Sequence, residues 1–374
     1  MDFTPTEEST DLGALVRSIT ESVVTPEHQR ELDKLPSSPG RFDKHLWHKL
    51  IDSDILSTTA SEAIGGGGYG ALEQCAVLTA LGRQLAAVPY LESTILAAGA
   101  LAEFGSAQLQ SDWAAPAIGG TKILTVALDS EMGQGPVQAS EAGSSSVFTL
   151  TGTCAQVPYG PLADAYLVPA HTGSDVQVFL VTATDPGVTM ISLNTTGHGS
   201  VGHLDLAGVP VDGSRSVGGR ESGPEIVEWL RLHNALGRSA FQLGVLDRAL
   251  ELTAQYGRER EQFDRPIGSF QAVSSRLADG YIDIKALRLV LTQAAWRVAE
   301  GLPADIDVNT AAFWAAEAGH RVAHTAVHVH GGVGIDMDHP VHRYFLSAKQ
   351  TEFAVGSATG ALLQIGQELA DTPV

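Results

Sequence analysis

The apolar residues of this 374-residue chain change period twice, and each change marks a change of architecture. Up to about residue 120 they recur at helical spacing: Leu46, Trp47, Leu50, Ile51 and Leu56 fall on one helix, and Leu78, Leu81, Leu85 and Val88 on another. From about 121 to 218 the period is two, in the runs 123–127, 147–150, 165–168, 176–181 and 188–191, with Gly, Ser, Pro and Asp clustered between them. From 224 onward it is helical again. Leu236, Ala240, Leu243, Leu246 and Leu250 line one long helix that ends before Arg260, and three more are expected at about 268–300, 304–330 and 339–370. The expected class is therefore α+β and multidomain. An N-terminal helical domain (1–120) precedes a central antiparallel barrel or sandwich (121–220) and a C-terminal four-helix bundle (221–374).

With 43 acidic residues against 23 basic ones, the formal net charge is −20. A nucleic-acid binder needs a basic face for phosphates, so that class is excluded. An anionic ligand would have to be met by local cations and helix N-termini. At 44% hydrophobic and 18% charged residues the chain is not a largely disordered one. Cys75 and Cys154 are isolated and form no metal-ligand spacing, which fits a reducing cytoplasm. The opening Met1-Asp2-Phe3-Thr4 has no basic stretch leading into an apolar run, so no signal peptide is expected. No apolar run approaches the roughly 20 residues that span a bilayer. The expectation is a cytoplasmic protein with no membrane partner.

Three segments carry chemistry. Gly65-Gly66-Gly67-Gly68-Tyr69-Gly70 lacks the Lys-Ser or Lys-Thr of a phosphate loop, and its plainer reading is a helix-to-helix connection. Arg260-Glu261-Gln262-Phe263-Asp264-Arg265-Pro266-Ile267 offers a guanidinium whose planar, forked donors suit a pyrophosphate. Phe263 supplies an apolar wall, and Gln271 can both donate to and accept from a nucleotide edge. In His330-Gly331-Gly332-Val333-Gly334 the paired glycines let a backbone approach phosphate oxygens that any Cβ would hold off. His320, His324 and His328 recur every four residues, but no cysteine or second carboxylate converges on them in sequence, so no metal is assigned. Arg248, Arg258, Arg260, Arg265 and Arg276 form a modest basic island that suits either a cofactor's phosphates or a solvated helix face.

In order and spacing these segments resemble the flavin-binding motifs of acyl-CoA dehydrogenases. The likeness extends over nearly the whole chain, through Leu46-Trp47, Glu73, Leu81-Gly82-Arg83, Leu243-Gly244, Tyr256 and Phe270-Gln271. It implies that family's fold, with a central β-barrel, and FAD as cofactor. It implies also that Arg260, Gln262, Phe263, Gln271, His328, Gly331 and Gly332 reach across a subunit interface to a flavin seated mainly in the neighbour. His328 stands where the family more often has Gln.

Two departures matter. The family takes a proton from the substrate Cα with a positioned carboxylate, and its usual site aligns here with Val355. The alternative site falls near Asn234. Neither residue accepts a proton, so no catalytic residue is assigned. Glu352, one turn from Val355, could substitute, though solvated helix charge is its plainer role. In the central domain, Ala127 to Gly135 and Gln156-Val157-Pro158-Tyr159-Gly160 replace the family's flavin-contacting residues, so this chain is not expected to seat an isoalloxazine of its own.

The resemblance is nearest to the base-lacking subunit of α2β2 heterotetrameric enzymes of actinobacterial steroid catabolism. It implies α,β-dehydrogenation of a steroid side-chain CoA thioester, such as that of cholesterol. The partner would be a homologous subunit supplying the catalytic Glu, and an electron-transferring flavoprotein would take the electrons. Two other readings stay open: a self-sufficient homomeric dehydrogenase, and a flavin-free structural paralogue.

Overall fold

Caps written into the sequence set where the helices begin. Thr6 accepts from the Ser9 amide to open α1 (Glu7–Val23), and its hydroxyl donates to Glu73, 2.9 Å away. Asp43 accepts from the Leu46 amide to open α2 (Lys44–Asp52). Glu73 also accepts from the Gly70 amide, 3.1 Å, at the start of α3 (Ala71–Arg83). The glycine run just before it is a close-packed turn. A Cβ on Gly66 would stand 2.2 Å from the Ala60 carbonyl oxygen, so the loop is shaped by backbone approach.

The computed structural model describes residues 3–36, 39–128, 136–141, 146–197 and 199–371. They form two compact units. One comprises Met1–Arg30, Gly70–Ala86 and Ala235–Val374; the other comprises Glu31–Tyr69 and Ala87–Asn234. Among the described residues no helix is long and apolar enough to cross a membrane.

The second unit holds the sheet: β1 (Leu124–Val126), β2 (Gln138–Glu141), β3 (Val147–Pro158), β4 (Ala165–Thr172), β5 (Asp175–Thr182), β6 (Val188–Ser192), β7 (Val201–Asp212) and β8 (Ser216–Val217). Its order is β6-β7-β3-β2-β4-β5-β8, with β1 beside β4. Phe148 and Phe179 pack at 4.9 Å between ring centroids, in a core with Leu150, Val168, Leu204 and Val211. Each such buried side chain contributes about 1.5–3 kcal/mol relative to exposure.

The expected closed antiparallel barrel is overturned. The sheet is open and mixed. Among the described residues no pairing joins β8 back to β6, and β1 and β2 both run parallel to β4. Closure requires strand tilt and register stagger that add up around a full circle, and a two-residue edge cannot supply a ladder for it. The β1–β4 pair is parallel because the β2–β3 excursion acts as the crossover that returns the chain to β4 beside β1, and β3 alone is the crossover between β2 and β4. Period-two patterning is the same for every one of these arrangements.

The C-terminal helices are α4 (Gly223–Glu259), α5 (Gln271–Ala299), α6 (Asp305–His330), α7 (Val341–Ala354) and α8 (Ser357–Asp371). The expected last helix is thus two helices, broken where Gly356 (φ +82°) and Ser357 (φ +62°) turn left-handed. In the first unit, Gln242 of α4 is fully buried and donates to the carbonyls of Ala315 on α6 and Ala348 on α7. Large apolar side chains on the C-terminal helices face solvent: Tyr281, Ile282 and Leu289 on α5, Phe353 on α7, Leu362 and Leu363 on α8. Exposed apolar side chains are unremarkable singly, and it is contiguous patches of them that mark association surfaces.

Candidate functional site

At the end of α4 the Arg260 amide donates to the Tyr256 carbonyl, 2.8 Å, completing the last helical turn. The Ile267 amide then donates to the Arg260 carbonyl, 2.8 Å, and closes the base of a hairpin. Its strands are β9 (Glu261–Gln262) and β10 (Arg265–Pro266), with Gln262 opposite Arg265. The two connecting residues, Phe263 and Asp264, both have positive φ (55° and 61°), as in the tight turns usually built from Asn-Gly. A bulky residue in that region is strained by about 1 kcal/mol or more. The turn leaves Phe263 standing in solvent, 87% exposed, with its ring nearly perpendicular to that of Phe270 at 6.1 Å. The Arg265 guanidinium covers Phe270 at 4.2 Å. The Gln262 amide donates to the Glu261 carbonyl, 2.8 Å. Gln271, the first residue of α5, is exposed.

The second segment is the end of α6. Gly331 has φ +61° and ψ −134°, a conformation open to glycine alone, and its amide donates back to the carbonyls of Val327 and His328. A Cβ on Gly331 or Gly332 would meet nothing within 4 Å, so both present bare backbone to an open surface. Arg260, Gln262, Phe263, Gln271, His328, Gly331 and Gly332 are all exposed. These residues fit a phosphate-bearing flavin: a forked cation, unobstructed backbone and an aromatic face, all directed away from their own fold.

What the sequence did not disclose is how the two segments are joined. Tyr256 stacks on His330, ring centroids 4.3 Å apart and planes 24° apart. His339 packs on His330 at 4.9 Å and meets Tyr256 edge-on at 6.5 Å. The available signal was position alone: Tyr256 lies one turn before Arg260, and His330 directly before Gly331. Beneath the hairpin, Ala254, Gly257, Arg258, Pro266, Gly268 and Leu277 line a cavity of about 370 Å³.

Val355 caps the C-terminus of α7, its amide donating to the Thr351 carbonyl, 3.0 Å. It brings an isopropyl group to the helix break and nothing that takes a proton. Glu352 is engaged. Its Oε2 lies 2.5 Å from Lys349 Nζ and its Oε1 3.4 Å from His320 Nδ1, with the side chain 13% exposed. Both oxygens therefore face protein partners. His320 and His324 pack at 4.5 Å with their planes tilted by 40°, and burial followed by the charge of His320 holds His324 below its ordinary value. Among the described residues no three His, Cys, Asp or Glu side chains are grouped as metal ligands would be.

The other expected base position, Asn234, lies on the part of α4 that belongs to the second unit. Its neighbour His233 stacks on Trp229 at 3.8 Å, and Nδ1–H of His233 donates to the Trp229 carbonyl, 2.8 Å. Burial pushes this imidazole down to about 4, so it is neutral and a weak base at ordinary pH. Phe104 meets Trp229 edge-on at 6.2 Å, and a Cβ on Gly99 would touch Trp229 at 2.9 Å.

In the sheet, most of the segment expected to have lost its flavin contacts, residues 129–135, lies outside the described residues. The 156–160 stretch is used internally. The Pro158 carbonyl accepts from Thr125, 2.6 Å, the Tyr159 amide donates to the Ser200 carbonyl, 2.7 Å, and the Gly160 carbonyl accepts from Tyr166, 3.2 Å. A cavity of about 320 Å³ in this unit is lined by Ala127, Val137, Cys154, His171, Val227 and Arg231 among others.

Residues 221–370 match the acyl-CoA dehydrogenase C-terminal domain, and residues 6–121 the acyl-CoA dehydrogenase N-terminal domain. Acyl-CoA dehydrogenase FadE27 of Mycobacterium tuberculosis is 65% identical, with both chains covered completely. A chain of the crystal structure of the ChsE4-ChsE5 complex from Mycobacterium tuberculosis is 66% identical, superposes with a TM-score of 0.96 and is likewise covered in full. A chain of a single-site variant of the Tcur3481-Tcur3483 steroid ACAD is 37% identical with a TM-score of 0.89, covering 98% of this chain and 99% of the other.

Proposed function

The chain belongs to the acyl-CoA dehydrogenase family, and we propose that it is the base-lacking subunit of a heteromeric member of it. In this reading a homologous partner chain supplies the catalytic Glu and most of the flavin seat. The assembly α,β-dehydrogenates a CoA thioester on a steroid side chain. Two of the similar structures are named for paired components, and one of those is described as a steroid ACAD, which supports both the pairing and the substrate class.

FAD, when bound, supplies the acceptor for the hydride that leaves the substrate Cβ. This chain's contribution is to hold and orient it. The forked donors of Arg260 suit the pyrophosphate, and the open Gly331-Gly332 backbone lets phosphate oxygens come close. Phe263 and Gln271 offer an apolar face and a two-way hydrogen-bonding edge to the nucleotide, and His328 offers a further donor. None of these groups removes a proton. That task falls to the partner's carboxylate, which an apolar site would make basic enough to take the α-proton. The partner that would take the electrons away is an electron-transferring flavoprotein.

The observation that carries this reading is a pairing of opposites within one unit: an outward-directed grip at Arg260 and Gly331, and Val355 at the helix break where the family's base belongs. Co-expression with the homologous partner, followed by flavin quantitation, tests it. One FAD per pair of chains and no thioester oxidation by this chain alone are expected. Two FAD per pair, or a flavin-loaded and active lone chain, would overturn the proposal.

A further inference from the structure

His330 is 3% exposed, and its two ring nitrogens are in very different positions. Nδ1 lies 2.8 Å from the Ala326 carbonyl one turn back on α6. A carbonyl can only accept, so Nδ1 carries the proton. In the neutral ring Nε2 is then a bare lone pair, and it is buried with no hydrogen-bond partner among the described residues. An imidazole kept in this form contributes through its faces. One face stacks on Tyr256, whose carbonyl receives the Arg260 amide; the ring also packs on His339. Immediately after His330 the backbone turns through Gly331 to Gly332, and a Cβ on Gly334 would stand 3.2 Å from the His330 Cβ.

We propose that His330 is a positioning residue that, stacked on Tyr256 as the Nδ1–H tautomer, holds the Gly331-Gly332 turn in register with the hairpin carrying Arg260. The inference rests on the reading of those residues as a flavin grip and adds what keeps its two halves together. The grip residues come from segments some 70 positions apart in sequence, Arg260 to Gly331, and the ring stack ties the helix end before one to the helix end before the other. A displacement of either half by an ångström would take the guanidinium and the open glycine backbone out of the mutual placement that one shared ligand requires.

The groups facing this ring are Tyr256 from α4, the Ala326 carbonyl from its own helix, and His339 from the segment before α7. Asp336 and His342 bear in turn on His339, and Nδ1–H of His342 donates to the His339 carbonyl. None of these is an acceptor placed for a proton on Nε2 of His330. Burial holds both His330 and His339 below the ordinary histidine value. The neutral stack is therefore fully formed above about 6.5 and is lost as pH falls through the folded-state value of His330.

The test uses the complex of this chain with its homologous partner, reading the FAD dissociation constant by flavin fluorescence at pH 7.5 and at steps down to 5.5. His330→Ala is expected to weaken FAD binding roughly 3- to 10-fold, the range set by loss of an aromatic stack. His330→Phe restores the ring without a titrating nitrogen. It is expected to bind FAD as the parent does and to lose the part of the acid-induced release that His330 causes. Should His330→Phe weaken binding as much as the alanine change, an imidazole nitrogen is needed and the positioning role fails. The role fails equally if His330→Ala leaves the dissociation constant unchanged. If the alanine variant does not assemble, the phenylalanine variant and its pH profile decide on the same terms. Arg260→Ala runs in parallel: retention of flavin there would overturn the grip itself, whereas loss there with no effect at His330 would overturn only the present inference.

Discussion

Lys349 holds Glu352 in an ion pair, Nζ to Oε2 at 2.5 Å, with His320 on the other carboxylate oxygen. The one acid that stands a helical turn from Val355 is thereby occupied within its own unit. In the assembled enzyme, Glu352→Gln is expected to leave the dehydrogenation rate within about twofold. Loss of a true general base lowers rates on the order of 10²–10⁴, so steady-state kinetics separates the two outcomes cleanly.

Arg260→Lys keeps the charge and removes the fork. If the guanidinium recognises a pyrophosphate by paired donors, the lysine variant retains only part of the flavin affinity, between the parent and Arg260→Ala. Equilibrium dialysis of FAD against the purified complex measures it. Equal affinity for the lysine variant and the parent would mean that simple charge suffices.

Gly331 adopts φ +61° and ψ −134°, so Gly331→Ala is strained wherever its methyl group points. A destabilisation of about 1–3 kcal/mol is expected from the backbone alone. The methyl also occupies the open space over the Gly331-Gly332 backbone, so flavin retention should fall further than the melting temperature implies. Melting curves with and without added FAD distinguish these effects. A fall in stability without a fall in retention would remove Gly331 from the grip.

His233 is held down to about 4 by burial, against an ordinary value of 6.5. A depressed folded value means that the unfolded chain binds the proton more readily. Stability from this group is therefore complete above about 6.5 and is lost as pH falls toward 4, by on the order of 3 kcal/mol. Replacing His233 with Phe should flatten that part of the stability profile. Chemical denaturation across pH 4–7 reads it directly, and an unchanged slope in the variant would contradict the expectation.

Phe353 and Leu363 are each 69% exposed on helices of the first unit. Leu363→Asp is expected to leave the helical content of the chain intact while preventing its co-purification with the partner. Size-exclusion chromatography of the co-expressed pair reports the loss. Normal co-assembly of the charged variant would place the interface elsewhere.

Legibility in the sequence followed the range of the interactions concerned. Helical periodicity located α4, α5 and α6, because one apolar stripe suffices to define each. The runs 165–168 and 176–181 fell within β4 and β5 for the same reason. The barrel did not survive, since openness and strand direction depend on which edges meet, and β2, β7 and β8 were not anticipated at all. The expected single helix at 339–370 is interrupted by left-handed backbone at Gly356 and Ser357, a conformation that apolar spacing does not encode. Within the candidate site, single residue types such as Arg260 and Gly331 were readable as chemistry. The Tyr256–His330–His339 stack was not, because it joins rings from three separate segments and has no local signature.

The tight turn at Phe263 and Asp264 has a practical consequence for the lone polypeptide. It thrusts an aromatic residue into water on a connection two residues long, which is the kind of point a chymotrypsin-like protease attacks. A nick there would sever the segment carrying Arg260 from the helix carrying Gln271 while both remain anchored in packed helices. A free copy would thus stay folded and yet be disarmed by one cut, whereas burial of the same spur by a neighbour would shield it.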